Sequence, residues 1–295
     1  MKRSDPRLDT DNLSMEFALL CGSVFGAYGR YTFQAPPHVY RSRCDAAANT
    51  AASMRYRFDA MLYHYGLLWL VYDHYLPEIE SLSERGGLPP GYLRVIATQH
   101  LFLFDDIVFG AASLFDYFAG LTGLTLLGVN EQRLKWGGLI RRAVAAERNA
   151  TSDDPTGLLR YGTRALVLRR NREWINQLME YRSDIIHHRS DQPDATITVD
   201  FLAQSDRTRL SVFAPSRFVR RMALGRKTEE DEERIALLDA AEWLVMRTFD
   251  TLASCFLTLW SDIRDKGRPY EPRGFHRHWI PDPSRQNPNT DTQLC

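Results

Sequence analysis

The sequence predicts a mainly α-helical bundle of long helices, with a small β-hairpin set before the last helix. Three observations carry that prediction. One stretch repeats apolar residues at spacings of three and four, through Ile235, Leu238, Val245, Phe249, Leu252, Phe256, Leu259 and Ile263, which is the period of a single helix face. The segment from Tyr92 to Leu127 is apolar nearly all round, as a helix buried on every side must be. Only one short region alternates at period two: Thr196-Ile197-Thr198-Val199-Asp200-Phe201. It is answered by Leu210-Ser211-Val212-Phe213 across Gln204-Ser205-Asp206-Arg207, the pattern of two strands and a turn.

Taken in order, residues 1–13 are polar and charged and are expected to be disordered. They contain no apolar run of the kind a signal peptide requires. Residues 14–34 mix apolar residues with Gly22, Gly26 and Gly29, and Pro36-Pro37 follows. Residues 1–40 therefore stand as an N-terminal segment with no clear period. A long helix is expected from about Cys44 to Glu84. Ala46, Ala47, Ala48, Ala51 and Ala52 supply helix propensity there, and Met61, Leu62, Leu68, Trp69 and Tyr72 supply bulk. Gly86-Gly87-Leu88-Pro89-Pro90-Gly91 breaks it.

The apolar helix from Tyr92 to Leu127 comes next, with an interruption expected at Gly120–Gly123, and then a shorter helix from about Glu131 to Arg148. A loop at Thr151–Pro155 leads into another helix, which Gln192-Pro193-Asp194 stops. After the hairpin, Pro215 closes the strand region, and Thr228-Glu229-Glu230-Asp231 has the form of a capping box for the last helix. The chain thus divides into residues 1–40, a helical domain over 41–266, and a Pro/Arg/Asn-rich tail over 267–295 expected to be disordered.

Bulk properties narrow the function. At 295 residues, with 44% hydrophobic and 25% charged residues, the chain has the composition of a globular protein able to bury a large core. Its formal net charge is zero, so any contact with nucleic acid must be a local patch rather than a global field. Cys21, Cys44, Cys255 and Cys295 are far apart, with no CxxC pair. This argues against a disulfide framework or structural zinc site and fits a cytoplasmic location. Ile107 to Val129 is long enough to span a bilayer. It contains Asp116 and four glycines and lacks basic flanks, so a buried helix is expected and no membrane association.

The most informative residue is Arg182. The helix leading to it carries Val167, Trp174, Ile175, Leu178 and Ile185 on one apolar stripe, and Arg182 falls on that stripe. A charge aimed at a core must be paired with an acid or directed at an anion. Asp184, Asp105, Asp106, Asp116 and Glu242 are the acids placed to pair with it. Five residues on stands His187, and then His188.

This R-x4-H pattern, on a helix near the end of an α-helical chain, resembles the HEPN superfamily (higher-eukaryote and prokaryote nucleotide-binding domains). The resemblance covers about residues 90–265. That family often has Asn, Asp or His directly after the arginine, whereas Ser183 stands there in this chain, with Asp184 following. The resemblance implies a metal-independent endoribonuclease without cofactors, of the toxin–antitoxin or antiphage kind. It implies that Arg182 and His187 are catalytic, with Asp184 and His188 as supporting residues. It also implies RNA as substrate, a homodimer formed through the motif helix, and an antitoxin or defence-complex partner.

The chemistry is coherent. Attack by a 2′-hydroxyl needs an acid or base that titrates near neutrality, as a histidine does. It also needs a donor to the phosphate oxygens that gain charge, which an arginine supplies through paired N–H groups. Helix geometry adds a constraint. Five positions turn His187 about 140° away from Arg182, so either the helix unwinds between Asp184 and His188 or a second subunit completes the site. Two other readings fit the same residues: a catalytically inactive HEPN-like module that binds nucleotide, RNA or protein, and a purely structural oligomerisation bundle. Arg169-Arg170-Asn171-Arg172 and Arg217-Phe218-Val219-Arg220-Arg221 are either RNA-backbone patches or solvated helix faces.

Overall fold

The computed structural model describes residues 8–32, 37–85, 87–89, 91–128, 133–148, 162–188, 197–202, 207–224 and 234–266. Asp9 opens the first helix, α1 (Thr10–Thr32), where its carboxylate accepts the Asn12 backbone N–H at 3.0 Å and so satisfies a donor that the helix start leaves over. Leu13, Phe17, Cys21, Val24 and Tyr28 succeed one another at spacings of four, four, three and four, and all are buried. The N-terminal segment is therefore not separate. α1 packs against both α2 (Pro37–Glu84) and the last helix, α8 (Leu237–Lys266), and a domain boundary at residue 40 is not observed. The glycines at 22, 26 and 29 obscured this period because they fall between the buried positions.

α2 begins at Pro37, seven residues earlier than the alanine run suggested, and continues through Pro77 to Glu84. Gly91, at φ +80°, starts the turn into α3 (Tyr92–Thr122). α2 and α3 pack closely along their lengths. A Cβ at Gly110 would lie 3.1 Å from the Met61 Cβ, so a side chain there would need Met61 to give way by a few tenths of an ångström. α3 does not break at its glycines, but its regular α geometry stops at Thr122, within the interruption expected at Gly120–Gly123. It runs on through one wider π-helical turn, Gly123–Leu127, and ends at Gly128, whose φ of +130° no side-chain-bearing residue adopts readily. Tyr92–Leu127 is the one stretch among the described residues long and apolar enough to cross a membrane, and 72% of its most apolar window is buried inside the protein. It touches α2, α8, α4 (Trp136–Arg148) and α6 (Asn176–His188), which explains the apolar character on all its sides.

α5 (Gly162–Arg170) joins α6 through a second wide turn, Asn171–Ile175. Asp262 of α8 caps α5, its two carboxylate oxygens accepting the Gly162 and Thr163 backbone N–H groups at 3.1 and 2.8 Å. The hairpin pairs β1 (Ile197–Leu202) with β2 (Arg207–Val212) antiparallel, from Ile197↔Val212 to Leu202↔Arg207. β2 lies against α2. Beyond it comes a short helix that no sequence period announced, α7 (Ser216–Met222). It ends at Ala223 in the left-handed region. The Ala214 N–H donates to the Ile235 carbonyl at 2.9 Å, tying the exit of the hairpin to the start of α8. The capping box at 228–231 and the tail at 267–295 lie outside the described residues.

A chain of ring contacts runs through one core. Phe17 of α1 stacks on Phe58 of α2 at 4.1 Å and meets Phe256 of α8 at 5.6 Å, and Phe256 meets Phe118 of α3 at 5.7 Å. Phe115 meets Trp136 and Trp174, each at 5.4 Å. Trp174 meets Trp243 at 6.0 Å, and Phe218 meets Tyr181 at 5.1 Å. Every long helix thus contributes rings to the same interior. Replacing Phe58, fully buried between Phe17 and Phe249, with alanine is expected to cost about 3–5 kcal/mol of stability in urea denaturation. A loss below about 1 kcal/mol would contradict this packing.

The stripe predicted for α8 is buried from Leu238 to Ile263, with Glu242 as its exception. The Glu242 Oε2 accepts the Tyr65 hydroxyl at 3.4 Å. Burial pushes the Glu242 carboxyl above its ordinary pKa of 4.5, and the charge of Asp239 adds to the rise while the Tyr65 hydrogen bond opposes it. A raised carboxyl holds its proton more tightly in the folded chain. Stability is therefore lost as pH rises from the ordinary carboxylate range through the raised value. Glu242→Gln keeps an acceptor for Tyr65 and is expected to melt at a higher temperature than the unmodified protein at pH 7. That advantage should vanish in acid below the ordinary carboxylate range; equal melting temperatures at pH 7 would contradict it.

Candidate functional site

The candidate site is built on α6. The wide turn at Asn171–Ile175 places one extra residue in the helix and re-aims the side chains beyond it. The Asn171 Oδ1 is held there by the Trp136 indole N–H at 2.9 Å. Trp174, Ile175, Leu178 and Tyr181 then face the core, fixing the rotation of α6 about its axis. Trp174 also donates its indole N–H to the Thr251 Oγ1 of α8 at 3.2 Å.

With that rotation set, Arg182 points toward α3. Of the five acids able to pair with it, the structure selects Asp116, whose Oδ2 lies 3.4 Å from the Arg182 Nη1. Asp116 is a junction of three elements. Its Oδ1 accepts the Trp136 backbone N–H at 3.0 Å, capping α4, and Lys135 Nζ lies 3.8 Å from its Oδ2. The pair is not sealed. The Arg182 side chain is 30% exposed and that of Asp116 15%. The Arg182 Nε is buried with no hydrogen-bond partner.

The other acids go elsewhere. The Asp184 Oδ2 takes the Arg221 Nη2 of α7 at 2.6 Å, with the Arg217 Nη1 at 3.9 Å, and Arg221 also donates through Nη1 to the Glu180 Oε2 at 3.1 Å. Asp106 lies 3.8 Å from His64, and Glu242 binds Tyr65. Asp105 is buried within α3. His187 is exposed, and His188 closes the helix.

The structure excludes one of the two arrangements posed by the sequence, an unwound helix. α6 is continuous from Asn176 to His188, so it does not unwind between Asp184 and His188. Arg182 and His187 are separated by about 140° around the axis and about 7.5 Å along it. Arg182 faces α3, whereas His187 shares the face of Glu180 and Asp184, at spacings of four and three, whose carboxylates Arg221 of α7 binds. One protomer does not bring the two residues together.

The two basic runs differ in character. Arg169 and Arg170 both pair with Glu173, at 3.8 and 2.7 Å, and Arg247 lies 3.8 Å from the same carboxylate. The Arg170 hydrogen bond, helped by the charges of Arg170, Arg169 and Arg247, holds the Glu173 carboxyl below its ordinary pKa. In that run several guanidinium groups share one carboxylate. The second run forms α7, where Arg217 and Arg220 are exposed beside the face of α6 that bears His187. Among the described residues no group of three or more His, Cys, Asp or Glu side chains is placed to hold a metal ion. Compared with protein-family models, curated proteins and solved structures, the chain matches none.

Proposed function

We propose that this chain is a HEPN-like, metal-independent endoribonuclease that works as a homodimer through α6. Its site is built from the Arg182 of one copy and the His187 of the other. The observation that carries this reading is the unbroken α6, which presents a solvent-reaching arginine with a buried unpaired Nε and an exposed histidine on different sides. In this reading two α6 helices meet about a two-fold axis, so that Arg182 of one copy and His187 of the other share a cleft.

In that cleft His187 takes the proton from a ribose 2′-hydroxyl as its oxygen attacks the neighbouring phosphorus. Arg182 donates to the non-bridging phosphate oxygens as they gain charge. The bond from phosphorus to the 5′-oxygen breaks, and the leaving oxygen takes a proton from the imidazolium of a histidine in the cleft. The products are a 2′,3′-cyclic phosphate and a 5′-hydroxyl. Asp184 and Glu180 hold α7 against α6, and Asp116 orients Arg182. A cytoplasmic toxin or antiphage role, restrained by an antitoxin or defence-complex partner, is the setting for such an activity.

A second reading is favoured by Asp116. Its hold on Arg182, together with Ser183 after the arginine, suits a module that binds RNA or nucleotide without cutting it. Incubating purified protein with RNA in excess chelator separates the two. The nuclease reading expects fragments ending in 2′,3′-cyclic phosphate, whereas intact RNA together with no toxicity on expression would overturn it.

A further inference from the structure

We propose that Arg217 of α7 contacts the RNA phosphate on the His187 side of the site, supplied by the same protomer as that histidine. The proposal rests on the reading of α6 as an RNA site and names a residue outside the R-x4-H pattern. α7 packs against α6. Arg221 bonds to Glu180 and Asp184, whereas Arg217, one turn earlier on α7, reaches only Asp184. The Phe218 ring, between them in sequence, packs on Tyr181. Asp184 precedes His187 by three residues on the same face of α6, so the Arg217 guanidinium beside Asp184 lies within one helical turn of His187.

The two arginines differ in availability. Arg221 lies 2.6 Å from the Asp184 Oδ2 and its side chain is 30% exposed. It serves as the tether. Arg217 lies 3.9 Å from the same oxygen, beyond hydrogen-bonding distance, and is 52% exposed. Its fork of N–H donors remains open to an anion. Arg182 is turned toward Asp116 on another side of α6. Within one protomer the Arg217 guanidinium, held by no hydrogen bond to Asp184, is thus available to an anion within a turn of His187, and a phosphodiester reaching His187 passes along α7.

Binding of a short unstructured oligouridine, measured across a range of salt concentrations, tests this apart from cleavage. Losing one phosphate contact to a single strand lowers the slope of log K against log salt by about 0.7. Arg217→Ala is expected to show that loss with an unchanged melting temperature. Arg217→Lys should retain the slope but not the full cleavage rate, because its ammonium lacks the fork. Arg94→Ala, which removes one exposed charge at the start of α3, should leave the slope unchanged. An unchanged slope for Arg217→Ala in a protein that cleaves RNA overturns this proposal and leaves the nuclease reading standing. A lowered slope in a protein that binds but never cleaves supports the Arg217 contact and removes the nuclease. Equal losses for Arg94→Ala and Arg217→Ala, or no RNA binding at all, overturn the proposal.

Discussion

Replacing Arg182 or His187 with alanine is expected to remove nearly all RNA cleavage while the protein remains folded. Loss of a positioned charge donor to the reacting phosphate lowers rates by about 10²–10³-fold, and loss of the acid–base group by about 10²–10⁴-fold. Folding survives for different reasons at the two positions. His187 is exposed, and substitutions at such sites usually change stability by no more than about 0.5 kcal/mol. Arg182 is 30% exposed, and the Asp116 it leaves behind still accepts the Trp136 N–H and lies beside Lys135. That carboxylate is not stranded, so the cost is about 1–2 kcal/mol. Single-turnover cleavage in chelator, read beside urea denaturation of each variant, checks both halves. A variant that cleaves at the unmodified rate would remove that residue from the site.

The converse substitution is expected to be the costlier one for the fold. Asp116→Ala removes the α4 cap and the partner of Arg182 at once. The lost cap costs about 1 kcal/mol. The abandoned guanidinium costs about 2 kcal/mol, less than the loss seen for fully buried pairs because Arg182 reaches solvent. The total, about 3 kcal/mol, is to be compared with Asp116→Asn. Asparagine keeps an acceptor for Trp136 and is expected to lose only the ionic part. A loss under about 1 kcal/mol for Asp116→Ala would mean that the α3–α4–α6 junction carries no weight. Because Asp116 orients Arg182, the asparagine variant should also cleave more slowly than its stability alone would require.

Much of the fold was legible because burial and period coincide. The α8 stripe, the all-round apolar α3 and the alternation at 196–201 each carried a period or composition that pointed to its element, and the structure has α8, α3 and β1 there, with the strand one residue later at Ile197–Leu202. α1 was harder to see although its signal existed: Leu13, Phe17, Cys21, Val24 and Tyr28 keep helical spacing, and glycines between them mask it. α7 went unseen for another reason. Seven residues holding three arginines look like a charged run until Phe218, Val219 and Met222 are known to be buried. The wide turn at 171–175 adds a residue without any mark in the sequence, whereas the one at 123–127 begins at Gly123, where an interruption was expected.

At the site, the charge of Arg182 on an apolar stripe announced an acid partner, but not which one. Asp116 lies 66 positions away in the chain, and only packing of α6 on α3 chooses it over the other four. Helical geometry alone foresaw the divergence of Arg182 and His187. Whether the helix broke was a matter of local packing, and Tyr181 held on Phe218 together with the Asp184–Arg221 pair keeps it whole.

Under the proposed function, each working cleft draws Arg182 and His187 from different copies of the chain. Two differently tagged chains, one carrying Arg182→Ala and the other His187→Ala, can be co-expressed and the mixed dimer isolated through both tags. Each homodimer lacks an essential group in both clefts. The mixed dimer has one cleft with both groups intact, and it is predicted to recover about half the unmodified cleavage rate per dimer. A mixed dimer no more active than either parent would contradict a site shared between two copies.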